Sequence, residues 1–227
     1  MKTQLRDFIY SGILLTVLII LDFLSIKFFV VPLSSQWFDE YHVLIDGFMF
    51  LFVYGVLSVI CARLMLLISP LSPGDHSMDS GLFTWWKLFT VVYEFGRGAL
   101  LPFTTVFARP LVAMLFGAKI GKDIALGGRL VDPELITIGD EAIIGQDSVI
   151  TAHAITTGMI ILREVKISRG ATVGVNVVIM PGVEVGEGSI VTAGAVVSPN
   201  TIIPAGEMWG GIPARKIKDV TPTEIRG

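Results

Sequence analysis

From Ile120 onward, aliphatic residues fall six positions apart. Ile120, Leu126, Ile138, Ile144 and Ile150 share one phase, with Asp132 the one failure. After a gap, Ile167, Val173, Ile179, Val185, Val191, Val197 and Ile203 repeat the spacing without a miss. Glycine often follows, as at Gly121, Gly139, Gly145, Gly174 and Gly186. This period belongs neither to a helix nor to an alternating strand. It is the pattern of a parallel β-helix, in which each hexapeptide makes one short strand and one turn. The aliphatic side chain points inward and stacks on its equivalent in the next coil. Glycine and asparagine suit the turn backbone. Three hexapeptides close a triangular coil, so roughly 85 residues predict about five coils.

The N-terminal half obeys a different rule. Two apolar stretches, from about Phe8 to Val31 and from about His42 to Ile68, each exceed the roughly 20 residues a helix needs to cross a bilayer. Mean hydropathy is +0.73, far above that of ordinary soluble chains. The first stretch is too long for a signal core, and "DFLSIKFF" is not a small-residue cleavage site. Lys2 and Arg6 precede it, Asp39 and Glu40 lie in the connection, and Arg63, Lys87, Arg97 and Arg109 follow. That distribution predicts a multi-pass protein of the inner membrane with both termini in the cytoplasm. A formal net charge of −3 gives no support to nucleic-acid binding. The lone Cys61 reads as a small buried hydrophobe.

Asp22, Lys27, Asp46 and Arg63 lie within or near the spans. They read either as a polar pocket for a lipid-linked substrate or as interhelical pairs and snorkelling side chains. Trp85, Trp86 and Lys87 read as an interfacial anchor. The apolar segment beyond them is interrupted by Glu94, Arg97, Pro102, Arg109 and Pro110 and predicts helices lying on the membrane. A third span over about 99–115 is the competing reading. The expected organisation is therefore α + β. Residues 1–70 form two transmembrane helices and 71–117 a helical connector. Residues 118–206 form the β-helix, with an extruded loop at 151–166, and 207–227 a closing segment and tail.

The stretch "VGVNVVIMPGVEVGEGSIVTAGAVVSPNTIIPAGEMWGGIPARKI", residues 173–217, resembles the closing coils of the hexapeptide-repeat acyltransferases. It looks like the closing coils of the maltose and galactoside acetyltransferases, including the terminal Gly-x-Pro-Ala-Arg/Lys. The stretch "LLPFTTVFARPLVAMLFGAKIGKDIALGGRLVDPELITIGD" is similar to C-terminal β-helix domains of some nonribosomal peptide synthetases. The resemblance implies a left-handed β-helix, a homotrimer, and acetyl-CoA or another acyl-CoA as co-substrate, with no metal.

It also implies roles for residues. His153, in the gap between the two runs, matches the family's general base. Imidazole can take a proton from an attacking hydroxyl or amine near neutral pH. The Val175 backbone amide matches the oxyanion donor. Ala193 and Gly194 match backbone contacts to the pantetheine arm, although both also simply suit turns. Gly211 and Pro213 belong to the terminal motif that closes over the cofactor. Arg215, Lys216 and Lys218 would meet its phosphates, or form a solvated basic end. Trp209 would pack on the cofactor or cap the core. The partner orienting His153 stays open between Glu164, Asp147 and a backbone carbonyl. His76 reads as an exposed loop histidine or as a second group reaching the site, and His42 as an interfacial residue.

The expected function is acyl transfer to a membrane-proximal acceptor, such as a lipid, a lipid-linked sugar or a peptide. A non-catalytic trimeric membrane platform is the alternative. A γ-class zinc carbonic anhydrase shares the fold but needs three histidine ligands, and the repeat holds only His153.

Overall fold

The structure is a computed structural model describing residues 4–220; Lys2 and the tail from 221 lie outside the described residues. The chain forms two compact units. One comprises the chain up to Pro70 together with Gly81–Thr104, the other Leu71–Ser80 together with everything from Thr105 onward.

The first unit is helical. Helix α1 (Leu5–Ser25) continues through a π-turn at Ile26–Val30 into α2 (Val31–Phe38). A 3-10 turn at Asp39–Tyr41 then leads into α3 (His42–Ile68). The reversal uses Asp39 at φ 47°, outside any helical region. Helix α3 folds back on α1 and α2, bringing the Phe23 and Phe50 rings to 5.1 Å. The run Leu5–Ile68 is the stretch among the described residues long and apolar enough to cross a membrane.

Helix α4 (Gly81–Leu100) buries Phe83, Trp86, Phe89, Val92, Tyr93, Gly96, Ala99 and Leu100, the spacing of one helical face. That face packs on α3 so closely that a Cβ on Gly55 would lie 2.4 Å from Leu100 Cγ. At one end of this unit the buried Asp7 carboxylate pairs with Lys87 Nζ and accepts from the Gln4 amide at 3.1 Å. Trp85 Nε1 donates to Ser69 O at 2.8 Å at the same end. Asp46 is held by His42 Nδ1 at 2.7 Å and by Ser34 Oγ at 2.5 Å, so this charge is satisfied by pairing. Asp22, by contrast, is fully buried, with both oxygens lacking a partner among the described residues. The alternative span over 99–115 does not form. Pro102 ends α4, and short 3-10 turns at Leu101–Phe103 and Val106–Ala108 separate it from α5 (Arg109–Leu115).

The second unit is a three-sided parallel β-solenoid. Its first face stacks Lys119–Ile120, Ile136–Ile138, Val165–Ile167, Glu184–Val185 and Ile202–Ile203. The second stacks Ala125–Leu126, Ile143–Ile144, Thr172–Val173, Ile190–Val191 and Glu207–Gly211. Ala214–Asp219 returns antiparallel on the last of these. The third stacks Arg129–Val131, Val149–Thr151, Val178–Ile179 and Val196–Val197. The six-residue positions from Leu126 to Ile203 are buried wherever they are aliphatic. Each such side chain stabilises the stack by about 1.5–3 kcal/mol. Helix α5 lies against the first coil, with Arg109 Nη1 donating to Gly127 O at 3.1 Å.

The failure at Asp132 has a local cause. On the third face Leu130, not residue 132, pairs with Ile150 and is buried. The inward position therefore arrives two residues early. Asp132 then turns the corner at φ 61°, and a 3-10 turn at Pro133–Leu135 uses the leftover residues before Ile138, paired with Ile120 and Ile167, resumes the phase.

The gap is more ordered than an extruded loop. His153–Thr156 and Met159–Leu162 form an antiparallel hairpin around Gly158, whose φ of 81° suits the turn. Gly74–Ser77 adds a third strand against Met159–Leu162. Gly74–Ser77 falls in the segment 71–117, expected to be a helical connector, and forms a strand instead. Ile160 and Leu162 are fully buried, and Arg163 Nη2 donates to Asp75 Oδ1 at 2.5 Å.

Candidate active site

His153 opens the hairpin directly above Asp132 in the coil below. The ladder between the two coils ends with Ala152 N donating to Val131 O at 3.2 Å, so residues 132 and 153 leave the same corner together. His153 Nδ1 donates to Asp132 Oδ2 at 2.5 Å. The imidazole is about one-fifth exposed, whereas the Asp132 side chain is almost fully buried. The Thr151 hydroxyl braces the turn, donating to His153 O at 3.1 Å and accepting from His153 N at 3.3 Å. With its proton committed at Nδ1, the neutral ring carries its lone pair at Nε2. The buried carboxylate stabilises the imidazolium that forms when Nε2 takes a proton. Such a pair has the geometry that a general base and an orienting acid require.

Glu164 does not fill that role. It is exposed, and its carboxylate lies 4.0 Å from Lys166. Asp147 is on another corner, accepting from Gln146 Nε2 at 3.1 Å. His76 stays in the added strand, with Nε2 on Ser72 O at 3.0 Å. Asp132 escaped sequence reasoning as a partner although its signal was visible: it was the single charged residue at a position of the aliphatic phase.

A second carboxyl lies beside this pair. Both oxygens of Glu134 are buried with no hydrogen-bond partner among the described residues. Burial, reinforced by the charge of Asp132, pushes its carboxyl well above the usual carboxylate range. The unfolded carboxyl ionises in the ordinary range while the folded one stays protonated. The unfolded state then binds fewer protons, so stability falls as pH rises from the ordinary carboxylate range toward the raised folded value. Melting temperature measured from pH 4 to 8 is expected to decline through that window, and the decline to flatten in Glu134→Gln. An unchanged slope in the variant would remove Glu134 as its source.

The remaining sequence-predicted residues occupy a different corner. Val175 and Asn176 turn the chain from the second face to the third, Asn176 at φ 53°. Ala193 and Gly194 make the same turn one coil later, with Gly194 N donating to Val175 O at 2.9 Å. A Cβ on Gly145 would lie 2.5 Å from Val175 N, and one on Gly174 would lie 2.6 Å from Ala193 N. Glycine here is what lets successive coils approach at this edge. His153 and Asp132 sit instead between the third face and the first. One chain thus presents the His153–Asp132 pair on one edge of the prism and the small-residue corner on another.

At the closing end, Trp209 takes the second-face position above Val191, its indole N–H donating to Glu207 Oε2 at 2.8 Å. Gly211 and Pro213 form the exposed turn that begins the return strand. Lys216 Nζ is held by Glu207 Oε1 and Asp219 Oδ1, both at 2.7 Å. These contacts raise the Lys216 pKa and lower that of Glu207. Arg215 Nη1 donates to Ala214 O at 2.9 Å, and Arg215 and Lys218 are exposed.

Residues 164–199 match the family model described as bacterial transferase hexapeptide (six repeats). No curated protein matches the chain. Among solved structures, the chain is similar to a hexapeptide-repeat-containing acetyltransferase complexed with acetyl coenzyme A from Vibrio cholerae O1 biovar eltor. The identity is 27% over 46% of this chain and 61% of that one, with a TM-score of 0.43. A maltose O-acetyltransferase from Clostridium difficile 630 is 19% identical over 66% of this chain and 95% of that one, with a TM-score of 0.45. The chain thus spans less than two thirds of the Vibrio protein it matches.

Proposed function

We propose that this protein is a membrane-anchored acyl-CoA-dependent O- or N-acyltransferase, with acetyl-CoA the default donor. The observation that carries the reading is the 2.5 Å contact between His153 Nδ1 and the buried Asp132 carboxylate. His153 Nε2 takes the proton from an acceptor hydroxyl or amine as that group attacks the thioester carbonyl. The oxyanion that develops is received by the Val175 amide, and the imidazolium returns its proton to the departing thiolate. The match of residues 164–199 to a transferase repeat supports this chemistry.

Because the base and the Val175 corner lie on different edges of one prism, the complete site needs a neighbouring copy. A trimer of left-handed β-helices, as the resemblance implies, supplies one at each interface. Ala193 and Gly194 of that edge would lie along the pantetheine arm, with Trp209, Gly211, Pro213, Arg215 and Lys218 closing over the nucleotide. The span-length run Leu5–Ile68, folded as a hairpin, supports anchorage in the membrane. The β-solenoid would then face the cytoplasm beside an acceptor such as a lipid, a lipid-linked sugar or a peptide. The platform reading drew its support from the want of a carboxylate on His153, and Asp132 removes that support.

Purified protein is expected to melt higher in acetyl-CoA, by the equivalent of about 2.7 kcal/mol at a hundredfold excess over Kd. It should also release free CoA only when a hydroxyl- or amine-bearing acceptor is supplied. An unmoved melting curve together with no CoA release across such acceptors would favour the platform instead.

A further inference from the structure

The helical unit carries an open-sided cavity of about 520 Å³. Leu15 and Ile19 line it from α1, Phe50 and Tyr54 from α3, and Phe95 and Gly98 from α4. Glu94 is the charged member of the lining, held by Arg97 Nη2 at 3.1 Å. The volume falls within the range of small-molecule sites, which are mostly apolar with few polar groups.

Three observations say what fills it. The rim residues Ile19, Leu51 and Phe95 are 39%, 37% and 57% exposed, so the mouth opens onto the apolar outer surface of the helices. The lining on α4 begins 7 residues and ends 12 residues beyond Lys87, the cation bonded to Asp7. At 1.5 Å per residue this is on the order of 10–18 Å along the axis, the scale of half a hydrocarbon core about 30 Å thick. Finally, a Cβ on Gly98 would meet nothing within 4 Å, so the space is real at that wall. An apolar cavity at that depth, open sideways to the outer surface, meets hydrocarbon and not water.

We infer that this cavity is a binding site for one hydrocarbon chain of a membrane lipid, its polar end lying toward the Glu94–Arg97 pair. The inference rests on the membrane reading above and not on acyl transfer. Gly98→Phe places a ring in the open space without a backbone clash, whereas Gly98→Ala adds only a methyl group.

The test uses full-length protein in phosphatidylcholine vesicles carrying a small fraction of phosphatidylcholine with a diazirine on one acyl chain. After irradiation, labelled peptides are mapped. Labelling is expected at Leu15–Ile19 and Glu94–Ala99 as well as at the exposed Phe28 and Phe29. Gly98→Phe is expected to lose about tenfold of the cavity labelling with Phe28 and Phe29 labelled as before. Gly98→Ala should label as wild type, and the melting temperatures should agree. Equal cavity labelling in Gly98→Phe would overturn the site. So would a change in oligomeric mass without a change in labelling, which would mean that another copy covers the cavity. Absence of label at Phe28 and Phe29 too would overturn the membrane reading on which the site depends, leaving acyl transfer untouched.

Discussion

Replacing His153 is expected to lower acyl-transfer turnover by about 10²- to 10⁴-fold, the usual contribution of a positioned general base. Alanine removes the base but also leaves the buried Asp132 carboxylate without its imidazole. An unsatisfied buried acceptor costs about 1–3 kcal/mol, so His153→Ala should also melt lower. His153→Asn separates the two effects. Its amide N–H can replace Nδ1 toward Asp132, yet no basic nitrogen remains at the Nε2 position. Both variants should lose turnover alike, with oligomeric mass intact and Asn the more stable. The readout is acceptor-dependent CoA release at saturating donor. Wild-type turnover in the asparagine variant would reject the base assignment.

Asp132→Asn should be nearly as damaging. The amide can donate to Nδ1, which moves the ring proton to Nε2 and leaves nothing there to accept one. Loss of the carboxylate charge also removes stabilisation of the imidazolium. A loss of about 10²- to 10⁴-fold in kcat/KM is expected. The loss should fall on kcat, with KM for the donor little changed, because the acid acts through the ring and not on the cofactor. A purely structural role for Asp132 would lower stability without that selective loss of kcat. Glu164→Gln is the companion measurement. Its exposed carboxylate lies 4.0 Å from Lys166, and turnover should be unaffected. If Glu164→Gln caused the loss instead, the orienting acid would be misassigned.

The two halves of the fold were legible for one physical reason: a strong, repetitive demand for apolar burial leaves a periodic trace. The spacing from Ile167 to Ile203 allows little besides stacked coils, and every one of those side chains is buried. Span-length apolar runs likewise read as helices. Legibility ended where contacts join residues distant in sequence without a period. Gly74–Ser77 carries no strand pattern of its own. It is a strand because Met159–Leu162 offers an open edge to it.

The site was legible in one member of its central pair. His153 stood out because it occupies the gap in the repeat. In the sequence Asp132 is only a failed aliphatic position, since nothing local says that the coil reaches its inward residue early at Leu130. Once it does, the freed aspartate turns the corner at φ 61° and lands beneath a histidine 21 residues away. Glu134 is hidden for the same reason: its burial depends on how the leftover residues are accommodated.

Sequence alone thus determined the solenoid, its coil number and the helical half, and singled out His153, because each follows from a pattern written along the chain. Only the tertiary structure decided which carboxylate holds His153, and that the Val175 corner lies on another edge. Those facts depend on how coils stack across the prism, and stacking register is set by burial and turn geometry summed over whole coils.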